Sequence, residues 1–359
     1  MAKSAVFSVF VLLLAAPLLH PLPAHAQTYE FPGQGGGRTL VIYSTTDIEA
    51  ARPLIDDFRK LWADITVRYH DLQSQVLYQR IIEESDGPGV TADLAFSSVM
   101  DLQMKLANDG YAQPHKAGSA DGLPSWANWR NEAFGVTFEP VVIVYNKKYF
   151  QGREVPTTRT GLARALSSPH SEFFGKVATY DIERSGFGFF ALSRDQEHYG
   201  ATWNLVRAMG RNSVKLFSKS AAILDQLSTG NIVLGYNVLG TYAASRAERD
   251  PAIGVILPTD FTVVLSRIAL IPRKARSPQT GKLFLDYLLS ERGQRVLSER
   301  SGLNSVHTRV TGPRTAANMQ AKAGASLRPV KVGPGLLVYL DQFKRARMID
   351  TWEKALTGR

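Results

Sequence analysis

The sequence predicts an α/β protein in two lobes, and three observations predict it. Short apolar runs of strand length alternate with longer segments whose bulky residues return every three or four positions, the pattern of sheets covered by helices. Beyond the first 26 residues about 333 remain, more than one hydrophobic core usually organises. Residues 134–146, FGVTFEPVVIVYN, form one extended stretch far beyond the ~6 residues of an ordinary strand, long enough to pass from one lobe to the other. The expected division is 1–26 as a leader, 38–140 with 270–359 as the first lobe, and 141–269 as the second.

The leader has the build of an export signal. Lys3 supplies a basic start, residues 5–19 are apolar but shorter than the ~20 a membrane span needs, and Ala24, His25 and Ala26 give a small-x-small cleavage site. The mature chain is expected to begin near Gln27, outside the cytoplasm. It contains no cysteine, which excludes thiol catalysis, iron–sulfur clusters and cysteine-bound zinc. The net charge of +10 favours encounters with anions. The basic residues are dispersed rather than striped, so nucleic acid is not an expected partner.

After a glycine-rich leader at 33–37, the fold is expected to start at TLVIY, residues 39–43, a buried-strand run. Ser44, Thr45, Thr46 and Asp47 form a polar turn, and Leu54, Phe58, Leu61 and Trp62 mark one helix face. ITVRY at 65–69 is the next strand, a helix spans 73–84, and ADLAF at 92–96 is a strand ending in a second polar turn, Ser97 and Ser98. A short helix covers 101–108. In open α/β sheets ligands lie outside the carboxyl ends of the strands, so both turns are candidate site walls.

In the second lobe, a strand ending at Thr179 leads to Arg184, Ser185 and Gly186, where a helix begins. Backbone N–H groups at a helix start lack intrahelical acceptors and carry the positive end of the dipole, so a Ser-Gly start beside an arginine suits a bound anion. The alternative is a plain cap, with Ser185 serving only its own backbone. Helices follow through Trp203 and Val206 and at 223–227, then a strand at 231–236 and a turn with Gly240, where backbone closely approaches a neighbour or a ligand. Strands at 253–257 and 262–265 complete the lobe. Asp260 and Arg267 flank the latter, and both are candidate ligand contacts.

Residues 268–272 lead back to the first lobe, and Ser277 with Pro278 opens a helix through Leu283, Phe284, Tyr287 and Leu288. Residues 311–325 have few bulky apolar side chains and are expected to be exposed. The basic helix around 343–347 reads as a solvated face.

No catalytic constellation emerges. There is no Gly-x-Ser-x-Gly, His-Glu-x-x-His or phosphate loop, and His70, His115, His170, His198 and His307 are scattered. The chain offers hydroxyls, carboxylates and guanidinium groups at strand ends, which bind a polar solute without needing to transform it.

LVIYSTTD at 40–47, ADLAF at 92–96, GNIVLGYNVLGTY at 230–242 and FLDYLLSERGQ at 284–294 together resemble the bacterial extracellular solute-binding proteins of ABC importers. The chain is similar in particular to the branch with ferric-iron binders and binders of phosphorylated sugars and phosphoglycerate. The resemblance implies the type II periplasmic-binding fold, with a hinge and an interlobe cleft, in a periplasmic monomer without cofactor or enzymatic activity. It further implies that Ser44 to Asp47 with Ser97 and Ser98 form one wall, and that Arg184, Ser185, Gly186 and Phe187 with Tyr236, Asn237 and Tyr242 form the other. Ferric binders of the branch carry two adjacent tyrosines where this chain has Thr241 and Tyr242, which favours a phosphorylated or carboxylated organic anion over iron. The expected partner is an ABC permease. The alternatives are ferric-iron transport, ligand sensing for a membrane sensor kinase and, last, an exported hydrolase.

Overall fold

The structure, a computed structural model, describes residues 27–35, 37–167 and 171–358. The expected export signal and His170 lie outside the described residues. In chain order the strands are β1 (Gln27–Phe31), β2 (Arg38–Ser44), β3 (Ile65–Asp71), β4 (Leu94–Ser97), β5 (Asn128–Trp129), β6 (Ala133–Gly135) and β7 (Glu139–Asn146). They continue as β8 (Val177–Tyr180), β9 (Lys215–Phe217), β10 (Leu234–Leu239), β11 (Ile253–Ile256), β12 (Thr262–Leu265), β13 (Ile268–Leu270) and β14 (Leu327–Pro329).

These strands make two sheets, as expected. The first has the order β1-β3-β2-β4-β13-β6-β5 and the second β14-β12-β7-β10-β8-β9, with β11 also paired to β7. The central pairs β2–β3, β2–β4, β8–β10 and β8–β9 are parallel, so their carboxyl ends share one edge of each sheet. Helices cover the faces. In the helix Ile48–Leu61 the buried side is Leu54, Ile55 and Phe58, and Phe58 packs edge-on against Phe284 with ring centroids 5.0 Å apart. Emptying the Phe58 site would cost about 3–5 kcal/mol.

The long extended stretch divides where the lobes meet. β6 belongs to the first sheet and β7 to the second, so residues 136–138 cross between them, and residues 266–267 return between β12 and β13. The crossings are bonded to each other: Val136 N–H donates to the Arg267 carbonyl (2.9 Å) and Thr137 N–H to Ser266 Oγ (3.2 Å).

Two expectations about the ends of the chain are corrected. The fold begins before Thr39, because β1 pairs antiparallel with β3 and buries Phe31. The assignment of 270–359 to the first lobe holds only in part. β14 joins the second sheet beside β12, and the helix Gln342–Thr357 packs Met348, Trp352 and Ala355 against Ile182, Phe189, Leu192 and Val206 of the second lobe. Gly210 permits that helix crossing, since a Cβ there would lie 2.2 Å from the Leu356 carbonyl oxygen. The helix Ala316–Ala323 buries no residue, in line with the exposure its composition predicts.

Candidate functional site

A cleft of about 730 Å³ lies between the two sheets, at the carboxyl ends of β2, β3 and β4 on one side and β8, β9 and β10 on the other. A helix starts after each of these six strands: Ile48–Leu61, Ser74–Asp86, Met100–Asn108, Gly186–His198, Ser220–Ser228 and Gly240–Ala247. The first turns or caps of all six line the cleft, through Asp47, Ser74, Asp101, Gly186, Ser220 and Tyr242 among others. Each start brings unpaired N–H groups and roughly half a positive charge. Only the helix at Gly186 has a side-chain cap, Ser185 Oγ accepting the Gly188 N–H at 3.1 Å. The caps of the other five, Asp47, Gln73, Val99, Lys219 and Leu239, make no such bond.

The structure brings eight of the expected residues to the cleft: Thr45, Asp47, Ser98, Arg184, Ser185, Gly186, Phe187 and Tyr242. The plain-cap alternative holds for the Ser185 hydroxyl, while among the described residues the Gly186 and Phe187 N–H groups find no acceptor. The lobes touch here: a Cβ on Gly186 would lie 3.7 Å from both Ser74 and Val99, and the Asp47 N–H donates to the Tyr242 hydroxyl at 3.5 Å. Thr45 is fixed by donating to Ser97 Oγ (3.1 Å) and accepting the Ser98 N–H (3.2 Å).

Seven expected contacts lie in the frame instead. Ser44 donates to the Phe96 carbonyl and accepts the Thr46 N–H, and Ser97 accepts from Thr45 and Val99, so these hydroxyls shape the turns. Arg267 is fully buried. Its guanidinium pairs with Glu139 at 2.8 Å and donates to Thr46 Oγ1 at 2.8 Å. Glu139 also accepts from Thr137 (2.7 Å) and Thr241 (2.6 Å), so the ion pair clamps the two interlobe crossings rather than facing a solute. Asp260 pairs with buried Arg159 (3.1 Å), which in turn holds Asp195 (2.8 Å). Tyr236 (2.7 Å) and Asn237 (2.6 Å) donate to the other oxygen of Asp195. Asn237 reaches it because β10 bulges there, with Asn237 at φ 61°. Gly240 answers its own question: a Cβ would lie 2.6 Å from the Pro140 carbonyl oxygen, so the close neighbour is backbone.

Other cleft residues escaped the sequence reading, among them Asp71, Asp101, Tyr180, Lys219, Ser220 and Arg345. Burial and the nearby Asp47 carboxylate push the Asp71 carboxyl up to about 6, with Lys219 pulling the other way. Burial pushes Asp101 up to about 6 and Tyr242 up to about 12. Tyr180, buried and bonded to Ser220, is also raised. Of the cleft cations, Arg184 is 81% exposed and 3.8 Å from Asp181, and Lys105 is tied to Asp109 at 2.6 Å. Among the described residues Lys219 and Arg345 have no carboxylate partner, and no three His, Asp or Glu side chains gather as a metal site.

Comparison with known proteins supplies the context for this geometry. The family model for bacterial extracellular solute-binding protein matches residues 53–323. The substrate binding protein of an ABC transporter from Agrobacterium tumefaciens is 48% identical over 93% of this chain and 99% of that chain, with a TM-score of 0.89. Two more distant structures share the two-lobed fold. The periplasmic binding protein AfuA from Actinobacillus pleuropneumoniae, bound to fructose-6-phosphate, is 17% identical over 89% of this chain and 99% of that one, with a TM-score of 0.75. Iron-bound HitA from Pseudomonas aeruginosa is 14% identical over 89% and 99%, with a TM-score of 0.68. No curated protein matches the chain.

Proposed function

The chain belongs to the bacterial extracellular solute-binding proteins, the substrate-binding components of ABC importers, and from that premise we propose that its solute is a small organic anion, phosphorylated or carboxylated. Residues 1–26 would direct it to the periplasm, and closure of the lobes over the solute would present it to the membrane permease. The observation that carries the reading is the meeting of six helix starts in one cleft, five of them without a side-chain cap, beside the unpaired Lys219. An oxyanion accepts hydrogen bonds from several such N–H groups at once, and charge-assisted bonds contribute about 1.5–3 kcal/mol each. Asp47 and Asp71 are placed to accept from hydroxyl groups on the same solute. Ferric iron is the weaker candidate: among the described residues no three His, Asp or Glu side chains gather as a metal site, Thr241 stands beside Tyr242 in place of a second adjacent tyrosine, and Tyr236 is committed to Asp195.

The test is thermal unfolding of the mature protein, stripped of co-purified solute, against phosphate esters, carboxylates, ferric salts and neutral sugars. A ligand at a hundred times its Kd adds about 2.7 kcal/mol of stability. Stabilisation by phosphate esters or carboxylates is the expected result. Stabilisation by ferric salts alone or neutral sugars alone would overturn the assignment.

A further inference from the structure

Residues 334–357 cross the mouth between the lobes as a strap. The turn Pro334–Tyr339 packs on the helix Met100–Asn108 of the first lobe, with Leu336 buried beside Met100 and Met104. The helix Gln342–Thr357 packs on the helix Thr202–Arg211 of the second. Between these anchors Leu340, Gln342 and Arg345 form a wall of the cleft. Arg345 is half-buried, and its guanidinium lies 4.3 Å from the centre of the Phe189 ring, one turn into the helix that starts at Gly186. Asp101 faces it without pairing: its carboxyl feels the Arg345 charge but does not come within ion-pair distance. Asp101 turns an oxygen to the Leu102 N–H (2.9 Å), and Glu197 pairs with Arg194 (3.0 Å). Among the described residues no carboxylate comes within ion-pair distance of Arg345.

We infer that Arg345 determines specificity by binding a second acidic group of the solute, so that the cleft prefers compounds with two oxyanions. One is held at the helix starts beside Lys219 and the other at the strap. This rests on the organic-anion reading above. The chemistry suits it: a guanidinium fork held against an aromatic face is pre-organised for a planar carboxylate, and little side-chain freedom remains to be lost on binding. Two unpaired cations on separate walls match a solute charged at two places better than a simple monoester.

Calorimetric titration with 3-phosphoglycerate and with glycerol 3-phosphate, which lacks the carboxylate, tests the inference. The wild-type chain should bind 3-phosphoglycerate roughly ten- to hundredfold more tightly. Arg345→Met should erase that preference while leaving the affinity for glycerol 3-phosphate within about twofold, and Arg345→Lys should restore part of it. The inference is overturned by a wild type without the preference, by an Arg345→Met variant that keeps it, or by one that loses both ligands equally. Wild-type protein that binds neither ester while phosphate esters and carboxylates also fail to stabilise it would remove the organic-anion reading and this one with it. Failure at Arg345 alone leaves that reading standing. An unfolding midpoint close to wild type shows that each variant is folded.

Discussion

Arg267 separates a ligand contact from a structural clamp, and the two roles predict different failures on substitution. The guanidinium and its partner Glu139 have side chains 0% and 1% exposed, 2.8 Å apart, at the point where the two interlobe crossings meet. Arg267→Met removes the positive partner and leaves the Glu139 carboxylate buried with only the Thr137 and Thr241 hydroxyls. Breaking a buried pair from one side costs about 3–5 kcal/mol, a large share of the ~5–15 kcal/mol that holds a typical protein folded. Replacing both partners removes the stranded charge, so Arg267→Met with Glu139→Gln should recover much of the loss. Urea denaturation of the ligand-free single and double variants measures this directly. The folded Arg267→Met fraction should still bind the stabilising solute within a few-fold. An unchanged unfolding midpoint together with a tenfold or greater loss of affinity would refute the clamp and return Arg267 to the binding site.

Other consequences follow from the cleft. Asp101 has a folded-state pKa pushed up to about 6 from an ordinary value near 3.8, so folding disfavours its ionised form. Its contribution is neutral below about pH 4 and turns destabilising as pH rises to about 6, by on the order of 3 kcal/mol. Asp101→Asn should therefore match wild type near pH 4 and exceed it in stability above pH 7, as read by urea titration at both; the reverse sign would contradict the buried placement. Lys219→Met should weaken a bound phosphate ester about tenfold or more in a calorimetric titration, since it removes an unpaired cation beside an open helix start. Arg184→Met, at the exposed mouth, should mainly slow association at low salt and matter little at high salt, seen by stopped-flow fluorescence.

The readable parts of this chain are those whose cause is local. The strand runs of both lobes, the crossing within 134–146 and the helix start at Ser185 were legible because periodicity, length and a capping residue act within a few positions. Arg267 and Asp260 were misassigned because a charge at a strand end looks the same whether it awaits a solute or a partner. Their partners Glu139 and Arg159 stand 128 and 101 positions away. Met348, Trp352 and Ala355 fall at helical spacing, yet nothing nearby says that the surface they meet is the second lobe, or that Arg345 then enters the cleft.

A physical reason lies beneath these misses. Helices whose starts lie outside the cleft show their caps openly, with Thr158, Ser290 and Thr315 each accepting a backbone N–H; at the cleft only Ser185 and Asp341 do so. Around the cleft the same groups must stay free if a solute is to take the place of the cap, so the binding surface coincides with the loss of the local signal that marks a helix start. An open start is not sufficient by itself, since the helices Thr202–Arg211 and Pro278–Leu289 also lack side-chain caps and do not line the cleft. What distinguishes the six is that parallel strands of two sheets deliver them to one place, and that convergence is a property of topology which no single stretch of the chain contains.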